Sequence, residues 1–544
     1  KFDAVGARKL LEQVAAADVD YALGHMAMAE VWTLLGYDEK AKSAAKRAFE
    51  MASNLPREDR HLVEARYREA TKEWDKAIAL YRSLRTFFPD SLDYGLALAN
   101  AQQNGGEAEA SRATLRELRQ GLPRASSDPR VDILEAKLTL DGGDPSAALA
   151  LFEQAAGHGQ KIGAPLLVAR ASLESAYALE SMGQHERARQ SARAAQSLFS
   201  GAGDRVGAAD ALMAMGAAYM FQGDFGRALT TAEEALTLLL EIENSSLAAA
   251  HLGNMAQLLI KRGDLVLARA RAEGGLLLAR ELGIQEIIGS SFIALGWIAV
   301  LRGDLVAAMS AYQQADAAFR ELGDPRMSAW VDWHIGQVLL IKGQLVEARK
   351  RHTQALAVRE KHGLLGFAAE SKCALAEVAN EDQRSEQGEA LARAAAEQFA
   401  NEGQADNEAW AQAVLAESLL TQGKHAEAQQ ALSRAQQRIA ASQNMVIQLL
   451  VRRKSIALNM GKKSDHKYGL RELTDVLETA KKSGLLLEEL EANISRLKLI
   501  AISHPSPEID REMAEIEKTA NSRGLGLISR KANTGSAPLP TELK

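Results

Sequence analysis

Residues 256–275 read AQLLIKRGDLVLARARAEGG, residues 296–315 read GWIAVLRGDLVAAMSAYQQA, and residues 336–355 read GQVLLIKGQLVEARKRHTQA. Aligned on Gly263, Gly303 and Gly343, the three stretches share one pattern at a spacing of 40 residues. Working outward, Gly143, Gly183 and Gly223 precede them in the same phase, Gln383 takes the place of a glycine, and Gly423 resumes the series. A second series, offset by 20, runs Gly163, Gly203, Glu243, Gly283, Gly323, Gly363 and Gly403. Two punctuators per period, each followed by roughly 17 residues of helix-forming sequence, predict an array of antiparallel helical hairpins.

The spacing inside each period says how the helices touch. Seven residues before the first-series glycine the side chain is always small: Ala136, Ala176, Gly216, Ala256, Gly296, Gly336, Ala376, Ala416. Five after it sit Ala148, Ala188, Ala228, Ala268, Ala308, Ala348, Gly388 and Ala428, and twelve after it another small residue recurs. Small residues there let neighbouring helices approach closely, and larger ones four before the glycine (Leu179, Tyr219, Leu259, Leu339, Leu419) fill the space between. This is a packing code and carries no chemistry.

Composition agrees. Of 544 residues, 47% are hydrophobic and 25% charged, but only 5% are aromatic and 11 are proline, so alanine and leucine fill the apolar quota and the class is all-α. A net charge of -6 supplies no global basic field for nucleic acid or an anionic membrane. A single cysteine, Cys373, excludes an internal disulfide and a cysteine-built metal site. The longest apolar stretch, 287–301, is broken by Gly289, Ser290, Ser291 and Gly296 and falls short of the roughly 18 residues a bilayer span needs, so no membrane insertion is expected. The chain opens on Lys1 with helical spacing already running through 2–16, which reads as a fragment of a longer protein.

Small residue, leucine or aromatic, turn Gly-Asp, then two alanines: this order resembles the tetratricopeptide repeat, in a 40-residue variety with extended helices. The resemblance implies a right-handed superhelical solenoid. Earlier turns at Gly36, Lys72 and Gly105 lie closer together, and degenerate ones follow near Gly461 and Pro505, for roughly thirteen hairpins with a terminal cap. The expected division is 1–130, irregular repeats of 33–38 residues; 131–445, regular repeats; 446–533, degenerate repeats and cap; and 534–544, a disordered Gly/Ser/Pro tail. Trp32 and Trp74, in the irregular units, are expected in the core.

A narrower resemblance lies near the ends. LGYDEKA at 35–41, LPREDR at 55–60, WDKAIALYRSL from Trp74, SDPRVDILEAK from Ser127 and RGLGLISRKA from Arg523 look like the region that follows the catalytic or DNA-binding module in bacterial membrane-tethered serine/threonine kinases and winged-helix regulators. It implies a sensor or interaction half, outside the cytoplasm if a membrane span separates module from repeats and cytoplasmic otherwise. It transfers no catalytic residue.

No phosphate loop, kinase signature or H-E-x-x-H is present, so a non-enzymatic chain without cofactor or metal is expected. Gly142-Gly143-Asp144-Pro145 lies in phase with the turns, and proline suits a first helical position. His352 and His362, ten apart and off any chelating spacing, read as solvated. Cys373 reads as a packing residue or an inert groove position. The basic clusters Arg452-Arg453-Lys454, Lys462-Lys463 and Lys481-Lys482 read as solvated helix faces rather than a nucleic-acid surface.

One stripe stands out. Counted from the small position, minus six, minus three, plus one and plus four share the inner face of the first helix of each hairpin. Of the six tryptophans, the four outside the irregular units all fall on these 4 of every 40 positions, where chance would place about 0.4 of the four. The stripe offers Tyr177, Met213, Met220, Gln257, Trp297, Trp330, Trp333, Gln337, Glu370, Asn380 and Trp410 as candidate ligand-binding residues of a concave groove for a protein or peptide partner. The rival reading has the rings filling gaps between inner helices. Self-association stays open, as does a free-standing assembly scaffold.

Overall fold

The computed structural model describes residues 4–242, 244–459 and 466–533. Every regular element among them is helical. Helix α1 (Ala4–Ala17) is followed by hairpins of α2 (Ala22–Leu34) with α3 (Asp38–Glu50), α4 (Arg57–Ala70) with α5 (Trp74–Phe87), and α6 (Leu92–Asn104) with α7 (Ala108–Gly121). The longer units begin with α8 (Pro129–Asp141) and α9 (Pro145–Lys161), α10 (Pro165–Ser181) and α11 (His185–Ala202), α12 (Arg205–Phe221) and α13 (Phe225–Glu241), and α14 (Ser245–Arg262) and α15 (Leu265–Leu282). They continue through α16 (Gln285–Leu301) and α17 (Leu305–Leu322), α18 (Pro325–Ile341) and α19 (Leu345–Lys361), α20 (Leu365–Glu381) and α21 (Ser385–Asn401), and α22 (Ala405–Thr421) and α23 (His425–Ile439). Last come α24 (Met445–Asn459) and α25 (His466–Ser483), α26 (Leu486–Ser503) and α27 (Pro507–Ser522), and the single helix α28 (Gly526–Asn533). The positions expected to turn at Glu243 and Gly461, the pair Lys462-Lys463 and the tail 534–544 lie outside the described residues.

The Gly-Asp dipeptide does two jobs. At Gly303 the backbone is left-handed (φ 70°), its N–H donates to Val300 O at 2.8 Å, and the next N–H, of Asp304, reaches back to Ala299 O at 2.9 Å, so the carbonyls left over at the end of α16 are satisfied. Asp304 then opens α17 by accepting from the Ala307 N–H at 2.9 Å. Gln383 and Lys72 hold the same left-handed geometry without being glycine (φ 58° and 59°).

Between helices the small positions carry the contact. Ala268, Ala308, Ala348 and Ala428 are fully buried. A Cβ added at Gly296 would lie within 3.0 Å of the Tyr312 ring, and one at Gly336 within 3.0 Å of the His352 ring, so a large residue on the second helix is seated in the notch left by a glycine on the first. Trp32 and Trp74 are half-buried.

The chain forms two compact units, one of Lys1–Ala218 with Glu233–Asn244, the other of Tyr219–Ala232 with Ser245–Lys544. Each shows a contact absent from a simple stack, in which a repeat meets only its neighbours. In the first unit Asn244 Nδ2 donates to Gly36 O at 3.2 Å, five hairpins away, and Val206 packs on the same glycine. In the second unit α14 meets α24, α16 meets α26 and α18 meets α28. Met445 lies on Gly263, Leu486 and Leu525 on Gly303, and Arg530 on Gly343. One apolar cluster therefore joins Leu305, Tyr312 and Phe319 to Ile494, Leu497, Ile509, Leu525 and Ile528. Five hairpins bring the chain back onto itself.

Candidate functional site

The stripe positions lie on the first helices of the hairpins, and the second unit holds most of them. Tyr177, on α10, is exposed, and Met213, on α12, is half-buried; both belong to the first unit. Met220 and Gln257, half-buried on α12 and α14, belong to the second. There Trp297, Trp330 and Trp333 gather around His334, with ring centroids at 6.3, 6.2 and 4.9 Å. Trp330 also stacks on Phe319 at 6.2 Å. Trp410 is buried in the apolar cluster that Trp333 borders, and its Nε1 donates to Glu377 Oε1 at 2.9 Å. Asn380 is committed to the next hairpin: its Nδ2 donates to Val414 O and its Oδ1 accepts from Ser418. Gln337 and Trp333 each bring a polar atom out of solvent without a hydrogen-bond partner, Oε1 and Nε1.

Hairpin α18–α19 departs from the packing code at three places. Sixteen residues after the turn the other 40-residue units carry Gly159, Phe199, Leu239, Ala279, Phe319, Phe399 and Ile439; here it is Arg359. Nine after it, where Phe152 and Tyr312 sit, stands His352, and nine before it stands His334. Arg359 is 2% exposed; its Nη1 donates to Phe367 O at 2.7 Å and Ser371 Oγ at 2.9 Å, with Glu370 Oε2 at 3.6 Å and the Trp333 ring 5.9 Å away. Burial pulls the guanidinium below its ordinary range and pushes the Glu370 carboxyl up, each partly offset by the other's charge. Glu377 and the Cys373 thiol are pushed up by burial as well.

His352 is not solvated, as its spacing from His362 had suggested: it is wholly buried, with neither ring nitrogen hydrogen-bonded. The reason is the slot it fills against Gly336. The paired alternation of large and small residues between these two slots would have placed it. Burial, helped by Arg359, holds His334 and His352 down at about 3, and burial holds His251 at about 4. These depressed values mean that the folded chain refuses protons the unfolded chain accepts below about 6.5, so stability is full above that pH and is lost on acidification. His352→Phe should raise stability and flatten the acid slope, by at most about 1.4 kcal/mol per pH unit. Thermal melts at pH 7 and pH 5 check it; an unchanged slope would refute the assignment.

The basic cluster on α24 also differs from a solvated face. Arg452 pairs with Glu472 at 2.8 Å, Arg453 with Glu488 at 2.6 Å and Lys454 with Glu417 at 2.6 Å. Lys531 bridges Glu381 and Glu491 at 3.1 and 2.9 Å. Burial disfavours the Glu491 charge, but Lys531 and Arg453 outweigh it and hold the carboxyl far below its usual range. Aromatic and acidic side chains thus gather on α18–α22, with ion pairs toward α24–α28. Sequence spacing missed this because the pairs join helices many residues apart.

No protein-family model matches the chain, and no curated protein does. Among solved structures it is similar to a Rap protein complexed with competence and sporulation factor (TM-score 0.48, 16% identity, 63% of this chain and 98% of that one). It is also similar to aspartyl phosphate phosphatase F from Bacillus subtilis (0.46, 13%, 62% and 92%). A third likeness is to the APC/C hetero-tetramer Cut9-Hcn1 (0.46, 11%, 93% and 95%). The geometry described above settles the class. The fold is a tetratricopeptide-like array of helical hairpins. Among the described residues no helix is long and apolar enough to cross a membrane.

Proposed function

We propose that this tetratricopeptide-like chain is a non-enzymatic scaffold that takes a protein or peptide partner on the inner faces of α16, α18, α20 and α22. The observation that carries the reading is the gathering of Trp297, Trp330 and Trp333 about one histidine, next to Trp410, Glu370 and Glu377, on a face where the packing code places no aromatic. Aromatic anchors beside a few polar groups are the usual make-up of a binding hot spot. The end motifs support a place in a bacterial signalling protein, as the sensor or regulatory region of a membrane-tethered serine/threonine kinase. The same motifs support a second setting, a ligand- or peptide-sensing region of a winged-helix regulator. The parent open reading frame decides: a kinase module, a DNA-binding module, or neither, the last of which would leave a free-standing assembly scaffold.

A random-peptide display library selected on the purified chain tests the face itself. Trp330→Ala and Trp333→Ala should each weaken the selected peptides by about 2 kcal/mol or more. Unchanged affinity in the folded fraction of both variants would refute the reading and leave the rings as packing, where their loss costs about 3 to 5 kcal/mol of stability.

A further inference from the structure

A cavity of about 250 Å³ opens in the first unit, where α1 and the α2–α3 turn meet the α11–α12 turn. Val5, Leu35 and Ile242 supply apolar lining, and Arg8, Tyr37, Asp204 and Arg205 supply polar lining. The volume falls below the roughly 300 to 1,000 Å³ of sites that enclose drug-sized ligands, so the occupant is small.

The polar side is asymmetric. Arg8 Nε is out of solvent with no hydrogen bond; Glu12 Oε1 lies 3.6 Å away. Arg205, about half exposed, is anchored by Glu241, whose Oε2 lies 2.9 Å from its Nη1. Asp204 is 4% exposed and caps α12 through Oδ1, which accepts from the Gly207 N–H at 2.9 Å. Burial pushes its carboxyl up despite that bond and the charge of Arg170, so the anion is under-compensated where it stands. Burial also pushes the Tyr37 phenol up, and the charges acting on it are those of Arg8, Asp204 and Arg205, which line the same cavity. A plain anion would meet Asp204, and a plain cation would meet two guanidinium groups. A small molecule carrying both charges meets neither objection.

We propose that this cavity binds a free α-amino acid with an aliphatic side chain, its carboxylate on Arg8 and Arg205, its ammonium on Asp204 and its side chain on Val5, Leu35 and Ile242. The site shares no residue with the aromatic face of the second unit, so either assignment can fail alone.

Calorimetric titration of the full chain with L-leucine, leucinamide, N-acetyl-leucine and inorganic phosphate tests it. Leucine should bind one to one, and removing either charge, as in leucinamide or N-acetyl-leucine, should cost about tenfold or more, as expected for a lost charge-assisted contact. Arg8→Gln should weaken leucine by about tenfold and remove its advantage over leucinamide. Asp204→Asn keeps the cap, since asparagine caps about as well as aspartate, and should remove the advantage over N-acetyl-leucine. Circular dichroism confirms that both variants are folded. No heat from leucine at millimolar concentration, or leucine affinity unchanged in both folded variants, would overturn the proposal. So would phosphate or N-acetyl-leucine binding as tightly as leucine, which would mark an anion site only.

Discussion

Replacing Tyr312 by alanine should destabilise hairpin α16–α17 by about 3 to 5 kcal/mol, and Gly296→Ala alone by about 1 to 2 kcal/mol, yet the double variant should cost clearly less than the sum. Tyr312 is 1% exposed, and its ring occupies the notch that Gly296 leaves on the first helix. A methyl group at 296 has nowhere to go while the ring is there, and that overlap outweighs the roughly 1 kcal/mol that alanine gains over glycine inside a helix. With the ring removed the same methyl enters open space, so the Gly296→Ala step turns from destabilising to stabilising. Three other hairpins already carry alanine at both positions, as Ala176 with Ala192, Ala256 with Ala272, and Ala376 with Ala392. Native-state hydrogen exchange of the α16 and α17 amides localises the effect. Strict additivity would show that the glycine is not a partner of the ring.

The second large effect has the opposite sign. Arg359→Phe combined with Glu370→Leu and Ser371→Ala removes both members of the pair and should stabilise the second unit by about 1 to 4 kcal/mol, because buried ion pairs are commonly no better than well-packed apolar residues of similar volume. At 359 and 371 the combination recreates the neighbouring hairpin, where Phe399 and Ala411 hold the equivalent slots and are fully buried. Arg359→Ala, by contrast, should cost about 3 to 5 kcal/mol, since it strands the Glu370 carboxylate and the acceptors at Phe367 and Ser371. Thermal unfolding of the three proteins measures it. A triple variant less stable than the parent would show that the ion pair supports the fold, and a more stable one that loses its selected peptides would place the Arg359–Glu370 pair in service of binding.

How much was readable in advance depends on the range of the interaction. The turns followed from single residues, because a left-handed backbone selects glycine and the next residue caps the next helix, as Gly303 and Asp304 do. The hairpins followed from the small residues, whose period is local. The return of α24, α26 and α28 onto α14, α16 and α18 did not, because it sums a small rotation over five hairpins and no single residue encodes that angle. The ion pairs of Arg453 and Lys531 were hidden for the same reason, so a basic run that looked solvated is largely neutralised. His352 is a different case. Its signal is present in the sequence, in the glycine at 336, which leaves the notch that a ring on the second helix fills.

That return sets a rule for how such a gene can change length. In a linear stack a repeat can be duplicated or lost anywhere, because each junction resembles every other. Here Gly263 is matched to Met445 and Gly303 to Leu486, so deleting one 40-residue unit between them would bring every later helix to the wrong partner at once. The count of units between matched partners should therefore be inherited as a whole number, with substitutions within a unit accumulating far more freely than gains or losses of units.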